Sequence, residues 1–137
     1  MNVLFVCTAN AGRSVLSERL FQQQAEGRHQ ARSAGSNPGS EAHPEVVDAL
    51  REIGIDASDH TPQKLTEELI DWSDVVVATC DESCPYVPGK RYRNWHLSDP
   101  RGKPIGQVRV LRDDIARRVE ALVRELDAGV NTAPRGA

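Results

Sequence analysis

Apolar positions recur along this chain with two periods. Val3-Leu4-Phe5-Val6 is a short unbroken apolar run and predicts a fully buried strand. Beyond Gly12, the residues Leu16, Leu20, Phe21 and Ala25 fall on one face of a helix. Gln30 to Ala34 predicts a weaker strand, ending in Gly35 and the loop Ser36-Asn37-Pro38-Gly39. Pro44 suits the first turn of a second helix, with Val46, Val47, Leu50 and Ile53 on its apolar face and Gly54 as its stop. Thr66 before Glu67-Glu68 predicts the cap of a short helix through Leu69, Ile70 and Trp72. Asp74 to Thr79 gives the clearest strand, and Arg91 to Leu97 a weaker one. A long helix follows on Val108, Leu111, Ile115, Val119, Leu122 and Leu126, spaced by 3, 4, 4, 3 and 4.

Strands alternating with helices imply a parallel sheet covered on both faces. The expected fold is α/β: one three-layer α/β/α domain over residues 1–127 with a four-stranded parallel sheet. Residues 128–137, with two glycines, a proline and no apolar periodicity, are expected to fray. In such sheets ligands bind beyond the carboxyl ends of the strands. Cys7 follows the first predicted strand directly, Cys80 the third, and Asp99 the fourth by two residues. One sheet edge thus gathers three chemically capable side chains.

Composition narrows the function. A chain of 137 residues with 39% hydrophobic and 27% charged residues is globular, and at this size buries roughly two-thirds of its unfolded surface. A net charge of −3 argues against a nucleic-acid partner. The longest apolar run, Val3 to Cys7, is far short of the roughly twenty residues that span a bilayer and has no basic flank. No membrane association and a cytoplasmic location are expected. Three cysteines, an odd number in a chain that needs no staples, point to catalysis, metal binding or simple burial.

The first motif is Cys7-Thr8-Ala9-Asn10-Ala11-Gly12-Arg13-Ser14, running from strand into helix. It suits a loop whose N–H groups converge on one anion at a helix N-terminus, with Cys7 as nucleophile. Arg13 offers a planar fork for a tetrahedral oxyanion, and Ser14 can donate to the cysteine sulfur. Gly12 permits positive φ where the loop needs it, and Asn10 tolerates the left-handed region. No G-x-x-x-x-G-K-[ST] nucleotide loop is present.

The second motif is Cys80-Asp81-Glu82-Ser83-Cys84-Pro85. A metal reading needs four ligands, and only His96 or Cys7 could join the pair, so no metal is assigned. Two inert core cysteines are one reading. The other is a redox pair: four residues apart in a helical turn, two Cα atoms are about 6 Å apart, within disulfide range. Asp99-Pro100 can be an ordinary turn or a general acid at the strand edge. His29, His43, His60 and His96 read as surface or capping residues. Arg109, Arg112, Arg117, Arg118 and Arg124 read as a solvated helix face.

Cys-x5-Arg-Ser at residues 7 to 14 and Asp99-Pro100 resemble the low-molecular-weight tyrosine phosphatase superfamily, from Asn2 to about Leu126. Within it, Asn10-to-Ser14, Ser33-Ala34-Gly35, Asp59-His60-Thr61 and Cys84-Pro85 are similar to the thioredoxin-coupled arsenate reductases. The resemblance implies arsenate reduction for detoxification, with Cys7, Cys80, Cys84, Arg13 and Asp99 catalytic and Thr8, Ala9, Asn10, Ala11, Gly12, Arg13 and Ser14 binding the oxyanion. It implies a Cys7-to-Cys80-to-Cys84 disulfide relay, phosphate or sulfate as mimics, and thioredoxin or a low-molecular-weight thiol system as reductant. Ser33 is expected to bond Asn10 and prop the loop. No organic cofactor is expected. A potassium site in some relatives matches Asn10, Glu18 and Ser33, but Gln63 stands where a carboxylate is expected. Phosphatases of this superfamily carry tyrosines after Asp-Pro, whereas Arg101-Gly102-Lys103 follows here. With only two each of Phe, Tyr and Trp, a small inorganic oxyanion fits better than phosphotyrosine. Hydrolysis of phosphotyrosine or small phosphomonoesters is the alternative.

Overall fold

A computed structural model describes residues 1–80 and 91–129. The elements run β1 (Asn2–Cys7), α1 (Arg13–Ala25), β2 (Gln30–Gly35), α2 (Pro44–Arg51), α3 (Glu67–Trp72), β3 (Val75–Ala78), β4 (Arg91–Asn94) and α4 (Ile105–Gly129). The four strands form one parallel sheet in the order β2-β1-β3-β4. This is the expected three-layer α/β fold. Because β2 lies on one side of β1 and β3 on the other, the strand order reverses at β1, and the crevice beyond its carboxyl end is the natural ligand site. Cys7 ends that strand.

The strand pleat divides the core. Val3, Phe5, Val75 and Val77 face a large cluster with Leu16, Leu20 and Phe21 of α1, Val46 and Leu50 of α2, and Ile115, Val119 and Leu122 of α4. Leu4, Val6, Val76 and Ala78 face the other way, against Leu69 of α3. Residues 3 to 6 are wholly buried, which explains the continuous apolar run. α3 is capped as expected, with the Thr66 hydroxyl accepting from the Leu69 N–H at 3.2 Å.

Several boundaries differ from the pattern. β4 ends at Asn94 rather than Leu97, because the Asn94 side chain accepts from the His96 N–H at 3.0 Å and His96 turns to φ +49°. Asp99 therefore lies five residues beyond the strand, on a loop, rather than two. β4 carries Arg91, Tyr92 and Arg93 and is only half-buried, as an edge strand can be. α2 stops at Arg51, with Gly54 at φ +83° in the turn beyond it. α4 continues through Ala128 and Gly129, so the first residues of the expected tail are helical.

The arginines of α4 are not all solvated. Arg112 is buried, and its Nη1 donates to the Ala49 carbonyl and to Glu52, both at 2.8 Å. Arg109 donates to the same carboxylate through Nε at 3.0 Å and Nη2 at 2.6 Å. The hydrogen bonds from Arg109, then those from Arg112, hold the Glu52 carboxyl at about 2 against an ordinary 4.5. A depressed carboxyl contributes stability that is fully present above its unfolded value and is lost as pH falls through the folded one. Glu52→Gln is therefore expected to lower stability at neutral pH and to flatten the loss between pH 4.5 and 2. Denaturant unfolding across that window checks this; superimposable acid limbs for the two proteins would contradict it.

Candidate active site

The loop after β1 is shaped by where its carbonyls go. Those of Cys7, Thr8, Ala9 and Ala11 accept from the N–H groups of Ser36, Asn37, Gly39 and His43 at 3.1, 2.8, 2.9 and 2.9 Å. The Asn10 carbonyl accepts from the His60 ring at 2.9 Å. In a trans peptide the following N–H points opposite to the C=O. Turning these carbonyls outward therefore turns the N–H groups of residues 8 to 12 inward. Gly12 then starts α1, whose first-turn N–H groups have no acceptor within the helix. The result is a cradle of amide donors at a helix N-terminus, suited to a tetrahedral anion.

Cys7 sits at its floor, a buried free thiol. Its sulfur accepts the Asn10 N–H at 3.2 Å and lies 3.0 Å from Ser14 Oγ. Asn10 Nδ2 donates to that hydroxyl at 2.9 Å, which leaves the Ser14 hydrogen free to point at sulfur. With the Asn10 N–H already on it, the sulfur then has two donors within reach. Asn10 takes φ +52°, the left-handed residue of the loop. The positive φ thus falls on Asn10 and not on Gly12, whose φ is −135°. Glycine at 12 answers a spatial demand: a Cβ would come within 3.0 Å of Pro100 Cγ and 3.1 Å of the His43 ring. Gly35 is more tightly required, since a Cβ would lie 2.4 Å from the Thr8 carbonyl oxygen.

A cavity of about 240 Å³ opens above, lined by Cys7, Thr8, Ala9, Gly12, Arg13, His43, Asp99 and Arg101. Arg13 is nearly buried and donates to the Leu97 carbonyl at 3.0 Å, which fixes its fork at the wall. Asp99 is half-exposed, 3.9 Å from Arg13. Its Oδ1 accepts the Arg101 N–H at 2.9 Å. The structure thus places Cys7, Arg13 and Asp99 around one cavity. Cys80, buried beyond β3, is disulfide-bonded and is not among the lining residues. Cys84 lies outside the described residues.

Beneath the loop the arrangement departs from expectation. Ser33 donates to Glu18 at 2.9 Å rather than to Asn10. Asn10 Oδ1 instead accepts the Gln63 N–H at 2.9 Å, and Gln63 Nε2 donates to the Ser33 carbonyl at 2.9 Å. Asn10 Oδ1, the Ser33 carbonyl and Glu18 Oε1 thus each accept a hydrogen bond from a neighbouring side chain or amide. Burial pushes the Glu18 carboxyl up, opposed by the Ser33 hydrogen bond. His60, read as a surface or capping residue, is only 6% exposed in its side chain and stands 3.9 Å from Glu18. His29 is also buried, bonded to Asp127 at 2.8 Å and to the N-terminal amine at 3.2 Å. His43 does begin α2 through its backbone, and its ring also lines the cavity.

The family model for low molecular weight phosphotyrosine protein phosphatases matches residues 2–132. The chain belongs to this family. Enzymes of the same fold and similar sequence surround it. A putative arsenate reductase of Halobacterium salinarum is 35% identical over 130 residues, 90% of this chain and 91% of that protein. A thioredoxin-dependent arsenate reductase of Corynebacterium glutamicum is 36% identical with a TM-score of 0.78, covering 93% of this chain, which spans 62% of that one. A low-molecular-weight tyrosine phosphatase of T. tengcongensis is 28% identical with a TM-score of 0.81, over 91% of this chain and 99% of that one. The chain is an enzyme of this kind, with the thiol, arginine and aspartate together at the family's loop.

His60 is the positioning residue that residue-by-residue reading missed, although Asp59-His60-Thr61 was among the matching motifs. The Asn10 carbonyl can only accept, so Nε2 carries the proton. Burial holds this imidazole below its ordinary 6.5, opposed by the bond to Asn10. A base with a lowered value is most stabilising when neutral, so stability falls as pH drops below 6.5. His60→Ala should cost about 1–2 kcal/mol by orphaning the Asn10 carbonyl. It should also slow iodoacetamide alkylation of Cys7 several-fold, while His60→Gln restores much of the rate. Equal alkylation rates in wild type and His60→Ala would contradict this role.

Proposed function

We propose that this enzyme reduces arsenate to arsenite with an intramolecular cysteine relay. The observation that carries the reading is the cradle itself: inward amides, a buried sulfur that accepts the Asn10 N–H with the Ser14 hydroxyl 3.0 Å away, Arg13 on the wall and Asp99 at the same cavity. The names of the two reductases above support the substrate. Among the described residues the cavity lining carries no Phe, Tyr or Trp, which favours a compact oxyanion over an aryl ester.

The Cys7 thiolate attacks arsenic, and an arsenate oxygen leaves with a proton from Asp99, giving an S–As bond. The amides and Arg13 hold the developing charge on the remaining oxygens. The Cys80 thiolate then attacks the Cys7 sulfur. The S–As bond pair passes to arsenic, which departs as arsenite at two electrons lower, leaving a Cys7–Cys80 disulfide. Cys84 attacks Cys80, frees Cys7 as thiolate and closes the Cys80–Cys84 disulfide. An external dithiol such as thioredoxin, or a low-molecular-weight thiol system, reopens it. A free Cys7 beside a disulfide-bonded Cys80 agrees with the last stage of this cycle. Phosphate and sulfate match the cradle in shape and charge but cannot accept the electron pair, so they compete without turning over. The role so described is arsenic detoxification in the cytoplasm; among the described residues no helix is long and apolar enough to cross a membrane.

Arsenate-dependent oxidation of NADPH, coupled through thioredoxin and its reductase, is expected for the wild type. Cys84→Ser should abolish multiple turnover while still releasing arsenite once, trapping Cys7–Cys80. If Cys80→Ser and Cys84→Ser leave phosphomonoester hydrolysis intact and no arsenate is reduced by any thiol system, the phosphatase reading takes its place.

A further inference from the structure

The lining of the cavity contains a cation that the chemistry above does not use. Arg101 sits on a tight turn fixed from both sides. Its own N–H donates to Asp99 Oδ1 at 2.9 Å, and the Lys103 N–H donates to the Pro100 carbonyl at 3.0 Å. Gly102 takes φ +71°, the left-handed value such a turn needs at its third position. Pro100 is buried against Gly12, close enough that a Cβ there would meet it at 3.0 Å. The base of the turn is therefore packed on the oxyanion loop, and Arg101 lines the cavity from its corner. Arginines of α4 such as Arg109, Arg112 and Arg118 each face a carboxylate. The Arg101 guanidinium has no such partner among the described residues. His43 lines the same cavity beside Gly12.

We propose that Arg101 is a specificity-determining residue. It forms a second cationic contact, beside Arg13, for a compact dianionic oxyanion seated on Cys7. The deduction rests on the reading of the cavity as an oxyanion site. Arg13 is held to the wall by the Leu97 carbonyl and stands by Asp99, so part of its charge is answered within the protein. A fully ionised tetrahedral anion on the loop would still present oxygens toward the mouth. The Arg101 guanidinium fork, lining the same cavity, matches two of them, and its charge raises the rate and strength of anion capture. The contact binds ground state and transition state alike, so it acts on capture more than on the chemical step.

The test uses the reduced full chain and inorganic phosphate as the binding probe, read by protection of Cys7 from iodoacetamide, alongside steady-state arsenate kinetics. Arg101→Ala should raise the phosphate concentration for half-protection and the arsenate KM about fivefold to tenfold, with kcat moved far less. Arg101→Lys should recover part of the loss, and the wild-type advantage should shrink with added salt. Arg101 is exposed on a turn, so loss of fold is not expected, and unchanged thermal unfolding confirms it. Half-protection and KM both within twofold of wild type would overturn the proposal. If no arsenate is reduced but phosphate protection still weakens in Arg101→Ala, the reductase reading fails and the anion contact stands. If arsenate is reduced normally and protection is unchanged, the contact alone fails.

Discussion

The structure depends on one constraint: the carbonyls of Cys7 to Ala11 are all drawn away from the loop they belong to. Backbone polar groups that leave water must be paired. Here the partners come from a segment that has no regular structure of its own, Ser36 to His43, and from one imidazole. Once those carbonyls are satisfied outside, peptide planarity leaves the amides facing in. The anion site is thus a consequence of hydrogen-bond accounting in the second crossover rather than a property of the loop alone. Gly35 makes the approach achievable, because any side chain there would strike the Thr8 carbonyl.

The layer beneath the loop extends the same logic. Asn10 is bound at three points: its carbonyl by His60, its side-chain oxygen by Gln63, and its side-chain amide to Ser14. Each bond keeps a left-handed residue in place, and its N–H on the Cys7 sulfur. Two guanidinium groups, Arg13 and Arg101, line the cavity with the amides of the cradle. Such a lining suits small, highly charged anions.

Much of this was legible in the residues. Strand β1 is unmistakable because it is buried on both faces, period places α1 and α4, and the Thr66 cap marks α3. Cys7 and Asp99 are legible because strand ends in a parallel sheet converge, and Arg13 because it stands six residues after Cys7 at the start of a helix. What escaped was tertiary. The ends of β4 and α2 were set by a side-chain bond and by a turn, which apolar spacing does not report. His60 and Ser33 carry no local signal for their partners, since Asn10 and Glu18 are far away in sequence. Arg112 looked solvated because arginine usually is, yet the Ala49 carbonyl and Glu52 recruit it into the α2–α4 seam. The role of Gly12 was assigned to backbone freedom when the cause is the crowding of Pro100 and His43.

The central claim is that the outward carbonyls turn the amides after Cys7 into one donor set that receives an anion above its sulfur. Binding of inorganic phosphate to the reduced protein, read by protection of Cys7 from iodoacetamide in wild type and His60→Ala, tests it most directly. The account predicts saturable protection in the wild type that His60→Ala weakens. Alkylation of Cys7 at the same rate with and without phosphate would contradict it.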